Sequence, residues 1–458
     1  MKKSVMMNRR AFLGGAVAAS CWGLGGCCGF PSLTSCRSPN GRLALAAVGT
    51  ANMARADIAR LASHPLLDVA ALCDVDSDFL AAAKAKYPNA RVYRDWREML
   101  DAEGGRIDAV SVSTPDHMHA AISLAAMRAG KNVYCQKPMA RLHSEMKEMR
   151  ETAAATGVVT QLGTQIAASD VDRQTAALLQ SGAMGPVRKA TLFSTRPGRS
   201  RRVRTMPVAA PVPANLDWKG WLGGAAYRPY ANDVYHPLLW RMWTDFGSGW
   251  VGDTCPHILS SLWIGMDLKA GAPRAVSATV DPKTPGGELG RLTWPRFARI
   301  RWEFGGVAAS GGEPFEVEWL DGPAEEKETP AEFLVPDALN AIGAKTKAGK
   351  LPGQGKVIEC ERGWIVSPHM EGPCEVVMKG GRAAPAIPSL PAASTHYHEF
   401  VDACLKGGGA TCRSDFAWSS YMCEAIASGG VAERLPNRRH VWDAATRTFD
   451  TPAATALS

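Results

Sequence analysis

The sequence predicts an α/β protein in two parts: an N-terminal parallel sheet with helical crossovers, then an α+β domain with a large, mostly antiparallel open sheet. Three observations predict it. Between residues 43 and 162, short apolar runs alternate with helix-compatible stretches of similar or greater length, the rhythm of βαβ units with right-handed crossovers. After residue 163 the rhythm changes to β-rich runs separated by Pro-rich stretches. The 458 residues are 46% hydrophobic and 21% charged, a composition that excludes wholesale disorder, collagen and coiled coil and leaves enough chain for more than one core.

Each element follows from local sequence. The first run, 43–48, ends at Gly49 and leads into a helical stretch through His64; the second, 67–73, closes on Asp74-Val75-Asp76. The third, 107–113, ends Thr114-Pro115 and precedes a helix over 120–129 with Gly130 as its C-cap. The fourth, 132–135, ends Gln136-Lys137-Pro138, and 158–162 is the fifth. Beyond them, 187–193, 275–280, 299–304 and 315–320 read as strands, with 206–213, 284–287 and 383–393 as Pro-rich loops. Trp218, Trp221, Trp240, Trp243 and Trp250 fall within 33 residues, either as core or as a platform for a sugar ring.

The first residues read as an address. Lys2, Lys3, Arg9 and Arg10 precede Ala11-Phe12-Leu13 and a Gly/Ala-rich apolar stretch, the layout of a bacterial export signal of the twin-arginine type. Leu24-Gly25-Gly26-Cys27 resembles a lipobox, in which Cys27 would be acylated and anchor the mature chain to a membrane. No run reaches the ~18–20 uncharged apolar residues of a spanning helix. The expected organisation is therefore a signal peptide over 1–27, a tether over 28–41, a nucleotide-binding domain over 42–162 and a substrate and oligomerisation domain over 163–458. Removing the four leader cations from the 52 basic residues lowers the net charge from +8 to +4 against 44 acids, which gives no reason to expect nucleic acid. Of 12 cysteines, Cys21, Cys27, Cys28 and Cys36 crowd the leader and tether; the other eight show no metal spacing and read as buried apolar residues, with Cys404 and Cys412 able to pair. The cluster Arg196, Arg199, Arg201, Arg202 and Arg204 reads as a solvated loop or as a contact for an acidic sugar or a neighbouring subunit.

Gly49-Thr50-Ala51-Asn52-Met53-Ala54 stands at the first strand-to-helix turn, where a dinucleotide fingerprint asks for G-x-G-x-x-G/A. The first Gly is kept, the third is an allowed Ala, and the second is Ala51. Asp74, 25 residues on, can accept the adenosine ribose hydroxyls or serve as a turn residue; no Arg follows it directly, so NAD is favoured over NADP. Lys137 sits at the carboxyl end of a parallel strand, as a group that orients a substrate hydroxyl or as a solvated surface residue. Asp253 and His257 are i and i+4, on one face if the segment is helical. They can handle the proton that leaves an alcohol, or be a cap and a buried structural His.

Taken in order, the Gly49 turn, Asp74, Ser113-Thr114-Pro115-Asp116-His117-Met118-His119, Gln136-Lys137-Pro138, Gly163-Thr164-Gln165 and Gly252-Asp253…His257 resemble the glucose–fructose oxidoreductase / inositol dehydrogenase / MocA (Gfo/Idh/MocA) family. Trp218…Trp221-Leu222-Gly223 and Tyr235-His236-Pro237…Trp240-Arg241 match its exported, twin-arginine branch. The resemblance implies a Rossmann NAD-binding domain and catalysis by Lys137, Asp253 and His257, with no metal. It implies a cofactor site of Gly49, Thr50, Ala51, Asn52, Met53, Asp74, Thr114, Pro115, His117, His119, Gln136, Lys137 and Gln165. Tyr235, His236, Trp240 and Arg241 are its substrate-side residues. Gln136 stands where the family usually has Glu, and Cys255-Pro256 replaces its usual small residues. The expected protein is a periplasmic homo-oligomer that moves hydride between a sugar or glycoside hydroxyl carbon and a tightly held NAD. The alternatives are an NAD-dependent glycoside hydrolase working by transient oxidation, elimination and re-reduction, and a non-catalytic sugar-binding protein on the same fold.

Overall fold

A computed structural model describes residues 41–195, 203, 205–268, 273–323, 329–370, 372–407 and 409–458. The leader, nearly all of the tether with its cysteines, and the arginines between 196 and 204 lie outside the described residues.

The first sheet contains β1 (Leu43–Val48), β2 (Leu67–Cys73), β3 (Arg91–Tyr93), β4 (Ala109–Val112), β5 (Asn132–Cys135) and β6 (Thr160–Leu162). They lie in the order β3-β2-β1-β4-β5-β6, and every pairing is parallel. Strand order reverses between β1 and β4, so the crossover helices diverge there and leave a crevice at the carboxyl ends. The central strands are apolar because helices cover both faces: β4 is buried throughout. Two of the sheet's helices start on an aspartate cap. Asp76 accepts the N–H groups of Asp78 and Phe79, and Asp95 that of Arg97.

The second sheet contains β7 (Val187–Ser194), β8 (Ala275–Val280), β9 (Ala298–Phe304), β10 (Phe315–Leu320), β11 (Gln354–Cys360), β12 (Gly363–Pro368), β13 (Glu375–Met378), β14 (Arg439–Asp443) and β15 (Thr448–Phe449). Its order is β13-β12-β11-β7-β10-β9-β8-β14-β15. Only the β7–β10 pair is parallel among these strands, so the expected mostly antiparallel open sheet is borne out. In β9, Ala298, Ile300, Trp302 and Phe304 are buried while Arg299, Arg301 and Glu303 alternate with them towards the open face. The helix Phe416–Arg434 lies on the apolar face: Trp302 Nε1 donates to Ser428 Oγ (3.2 Å), and a Cβ at Gly429 would meet the same indole at 2.7 Å. The helix His396–Lys406 instead packs Tyr397, Phe400 and Val401 against Leu43, Leu45 and Tyr134 of the first sheet.

Trp218, Trp221, Trp240 and Trp243 are buried with Tyr230, Tyr235 and Phe246 in one aromatic cluster, so the core reading holds for these four, while Trp250 is only partly buried. All eight described cysteines are free thiols, Cys404 and Cys412 included, and seven of them are buried.

Candidate functional site

The crevice at the carboxyl ends of the first sheet opens into a cavity of about 370 Å³ lined by residues of both sheets' connections. One end is built by the turn after β1. Gly49 has φ +86°, and a Cβ there would lie 2.5 Å from the Ser113 carbonyl oxygen, so glycine is required by the close approach of β4 as well as by conformation. Thr50 donates its N–H (2.8 Å) and hydroxyl (2.9 Å) to Asp74 Oδ2, and Asp76 N–H donates to Oδ1 (3.0 Å). This carboxylate is thereby fixed at the cavity wall, although burial raises its pKa. Asn52 (φ +50°) turns the chain into the helix Met53–Leu61, whose first turn has no side-chain cap and no acid. Its first N–H groups have no intrahelical partner. A nicotinamide dinucleotide fits this donor set: the helix N-terminus would hold a pyrophosphate, and Asp74 can accept ribose hydroxyls. Arg94, beside Asp74 on the same wall, spends Nη2 on the Val75 (2.7 Å) and Asn215 (3.0 Å) carbonyls.

The other end carries the titratable groups. Asp253 and His257 lie on the helix Gly249–Gly265, which runs unbroken through Pro256, and both face the cavity. Pro256 has no N–H for the Gly252 carbonyl, yet the i, i+4 pairing of Asp253 and His257 is kept. Lys137 Nζ donates to the Asp253 carboxylate (2.8 Å) and to its carbonyl (2.6 Å), and Arg241 Nε donates to the same carboxylate oxygen (3.2 Å). Burial would raise the Asp253 pKa, but Lys137 and Arg241 overcome it and hold the group ionised, below the usual carboxylate range. Burial first, then Lys137 and His369, push His257 well below its ordinary value, so its imidazole is neutral; its Nδ1 is buried without a hydrogen-bond partner among the described residues. Asp116, also on the wall, accepts the Ser248 N–H (3.0 Å), and burial raises its pKa.

Sixteen of the residues expected at the site line the cavity: Gly49 to Met53, Asp74, Thr114, Pro115, Gln136, Lys137, Gln165, His236, Trp240, Arg241, Asp253 and His257. Three stand behind its wall. His117 is buried against Trp221 and Phe246 with Nε2 at the Trp221 carbonyl (3.1 Å), and burial lowers its pKa to about 3. His119 sets its two ring nitrogens on the Pro138 (2.8 Å) and Thr114 (2.9 Å) carbonyls, bracing Thr114 of the wall and the residue after Lys137 from behind. Burial opposes its charge, but Cys135 and Asp116 outweigh that and lift it to about 9. Tyr235 belongs to the aromatic cluster. Asp116, Arg94 and Trp96 line the cavity without having been singled out. Asp116 sits inside the quoted Ser-Thr-Pro-Asp-His motif, so a signal existed; the other two follow β3, a strand with no apolar run.

His236 belongs to a strap from the second part of the chain. Its Nε2 meets Asp76 Oδ2 (3.0 Å), Asn215 Nδ2 donates to Asp76 Oδ1 (2.9 Å), and Ser77 N–H donates to the Asn215 carbonyl (2.8 Å). The segment thus crosses the carboxyl edge of the first sheet beside Asp74.

Comparison with known proteins gives two matches to one oxidoreductase family: its NAD-binding Rossmann fold over residues 43–164 and its C-terminal alpha/beta domain over 187–296, together about half of the chain. Levoglucosan dehydrogenase of Pseudarthrobacter phenanthrenivorans is 23% identical over 189 residues, 41% of this chain and 40% of that one. D-glucoside 3-dehydrogenase of Escherichia coli is 38% identical over 93 residues, 20% and 26% of the two chains. The chain thus spans well under half the length of these curated relatives. Among solved structures, levoglucosan dehydrogenase in complex with NADH and levoglucosan aligns with a TM-score of 0.55 at 19% identity, covering 87% of this chain and 98% of that one. The WlbA dehydrogenase of Bordetella pertussis, in complex with NADH and UDP-GlcNAcA, aligns at 0.60 and 16%, covering 88% and 99%. At these identities the structural likeness concerns the fold.

Proposed function

The chain belongs to the Gfo/Idh/MocA oxidoreductase family and carries its NAD-binding Rossmann domain, and from that premise we propose that it exchanges hydride between a sugar or glycoside hydroxyl carbon and NAD. The observation that carries this reading is a single cavity joining the Gly49 turn and Asp74 to a neutral His257 beside the Lys137–Asp253–Arg241 ion cluster.

When bound, NAD supplies the hydride acceptor. His257, held neutral by burial, accepts the carbinol proton. Lys137 orients and polarises the hydroxyl oxygen, and Asp253 keeps that ammonium in place through two hydrogen bonds. Arg241 donates to the same Asp253 oxygen, so this carboxylate stays a base too weak to compete for the proton. Trp240, in the aromatic cluster at the cavity wall, carries the Arg241 guanidinium 4.3 Å from its ring centre and so fixes that arginine beside Asp253. The strap through Asn215 and His236 supports a tightly held cofactor. Relatives named for levoglucosan and for a D-glucoside make a sugar the substrate class of choice.

We also propose that the leader sends the folded, cofactor-loaded chain through the twin-arginine route to the periplasm, with Cys27 as a lipid anchor, and that the mature protein is a homo-oligomer. Arg9-Arg10 and Leu24-Gly25-Gly26-Cys27 support the first two. Mass spectrometry of the denatured protein tests the cofactor: NAD is expected, and a preparation that neither carries nor binds it ends the proposal. Incubation with an aryl glycoside separates the chemistries, since a keto-sugar with reduced cofactor marks net oxidation, whereas free sugar without net reduction marks hydrolysis.

A further inference from the structure

We infer that Asp57 and Gln136 act as one unit carrying a single negative charge, and that this unit positions both the cofactor turn and the strand end that bears Lys137. The inference rests on the reading of the cavity as an NAD site. Asp57 lies in the helix that begins at the turn and is fully buried. Its Oδ2 accepts the Ser113 hydroxyl (2.9 Å) and the Gln136 amide (2.8 Å), and its Oδ1 accepts the Tyr397 phenol (2.9 Å). Arg60 Nη1 donates to that phenol oxygen in turn (3.1 Å). At the other end of the Gln136 amide, Oε1 accepts the Lys137 N–H (3.2 Å). One carboxylate therefore ties together the helix of the cofactor turn, the ends of β4 and β5, and the helix His396–Lys406.

The pairing is polar in a defined sense. Burial raises the Asp57 pKa, and the hydrogen bonds from Gln136, Ser113 and Tyr397 oppose it. With all three donating, Asp57 only accepts, whereas Gln136 donates through its NH₂ and accepts through its oxygen, so each atom of the amide has a complementary partner. Gly163 leaves room for this amide: a Cβ there would lie 2.9 Å from its Cδ. A glutamate in place of Gln136 would set two buried carboxylates against each other across the 2.8 Å contact, where both cannot be ionised. Exchanging the two groups restores the balance. An asparagine in place of Asp57 would donate its NH₂ to the carboxylate brought in by Gln136→Glu and to the Ser113 oxygen, since a hydroxyl accepts as readily as it donates, while its own oxygen takes the Tyr397 phenol. The family resemblance expects an acid at position 136; here the acid is Asp57, on the opposite side of the same hydrogen bond.

The test uses the full chain and measures NAD affinity, its pH dependence and the melting temperature for wild type, Gln136→Glu, Asp57→Asn and the double variant. Gln136→Glu is expected to weaken NAD binding by ~10²-fold at neutral pH, and Asp57→Asn by ~10-fold. The loss in Gln136→Glu should recover as pH falls, because one proton returns the pair to a single charge. The double variant should bind NAD within ~10-fold of wild type without that acid recovery. Wild type that binds no NAD overturns the cofactor reading itself. If wild type binds, an unaffected Gln136→Glu or a double variant no better than Gln136→Glu overturns the pair. Should Gln136→Glu fail to fold, a double variant that folds and binds supports the pair, and one that fails equally overturns it.

Discussion

Gly49 is fixed by two demands at once, a positive φ and a carbonyl 2.5 Å from where a Cβ would stand. Gly49→Ala is accordingly expected to cost roughly 3 kcal/mol or more and to abolish NAD binding, read by thermal melting and titration; a fully stable, NAD-binding variant would contradict the geometry. His257→Ala should lower turnover by ~10²–10⁴-fold with NAD affinity unchanged, and an unaffected rate would remove His257 from the chemistry. At this scale much of the site was legible in the sequence, because residues at strand ends and at i, i+4 on a helix have their direction set by backbone geometry alone. His117, His119 and Tyr235 sit among residues that do reach the cavity, and only tertiary packing turns them behind its wall. Asp57 was unreadable: a lone acid on a helix announces nothing until Ser113, Gln136 and Tyr397, from distant parts of the chain, converge on it.

Among the elements, the strap and the first-sheet edge share one residue. Asp76 caps the helix Ser77–Lys86 and also receives His236 and Asn215. Asp76→Ala should lose the cap, worth about 1 kcal/mol, and in addition release NAD faster than wild type. Stopped-flow dissociation checks this, and an unchanged off-rate would mean the strap does not retain the cofactor. The strands found from sequence were those with apolar runs. β3 was not, since three residues, two of them exposed, leave no pattern, and β11 to β13 were passed over because Gly, Lys, Glu and Pro interrupt them. In β11 the interruption has a physical cause: Lys356 is fully buried and pairs with Asp172 (2.9 Å), so a core position carries a charge that hydrophobic patterning reads as surface.

For the molecule as a whole, buried histidines lower stability as pH falls, against buried carboxyls such as Asp74 and Asp116, whose raised pKa favours the fold in acid. Burial lowers His117 and His396 to about 3 and His143 to about 4, and holds His257 well below its usual value. Unfolded, each takes a proton near pH ~6.5. Below that pH the unfolded chain binds protons the folded one refuses, and stability falls by ~1.4 kcal/mol per histidine per pH unit. His119 works in the opposite sense: raised to about 9, its contribution is complete below ~6.5 and is lost as pH rises through 9. The melting temperature should therefore be lower at pH 5 than at pH 7, and a higher value at pH 5 would contradict these assignments. Outside the described residues, changing Arg9-Arg10 to Lys-Lys should hold the protein in the cytoplasm, seen by fractionation; continued export would point to another route.

The central claim is that one cavity joins NAD to the Lys137–Asp253–His257 group for hydride transfer from a sugar carbinol carbon. The most direct measurement follows deuterium from a sugar or glycoside labelled at its carbinol positions into the nicotinamide of NAD held by the protein, read by mass spectrometry of the released nucleotide. Wild type is predicted to yield deuterated reduced nicotinamide, and Lys137→Ala to bind NAD but transfer no more than a few per cent as much, in line with the ~10²-fold or greater loss expected of a group acting on the reacting oxygen. Equal transfer by both proteins, or no label in the nicotinamide of an NAD-loaded wild type across a panel of sugars and glycosides, would contradict it.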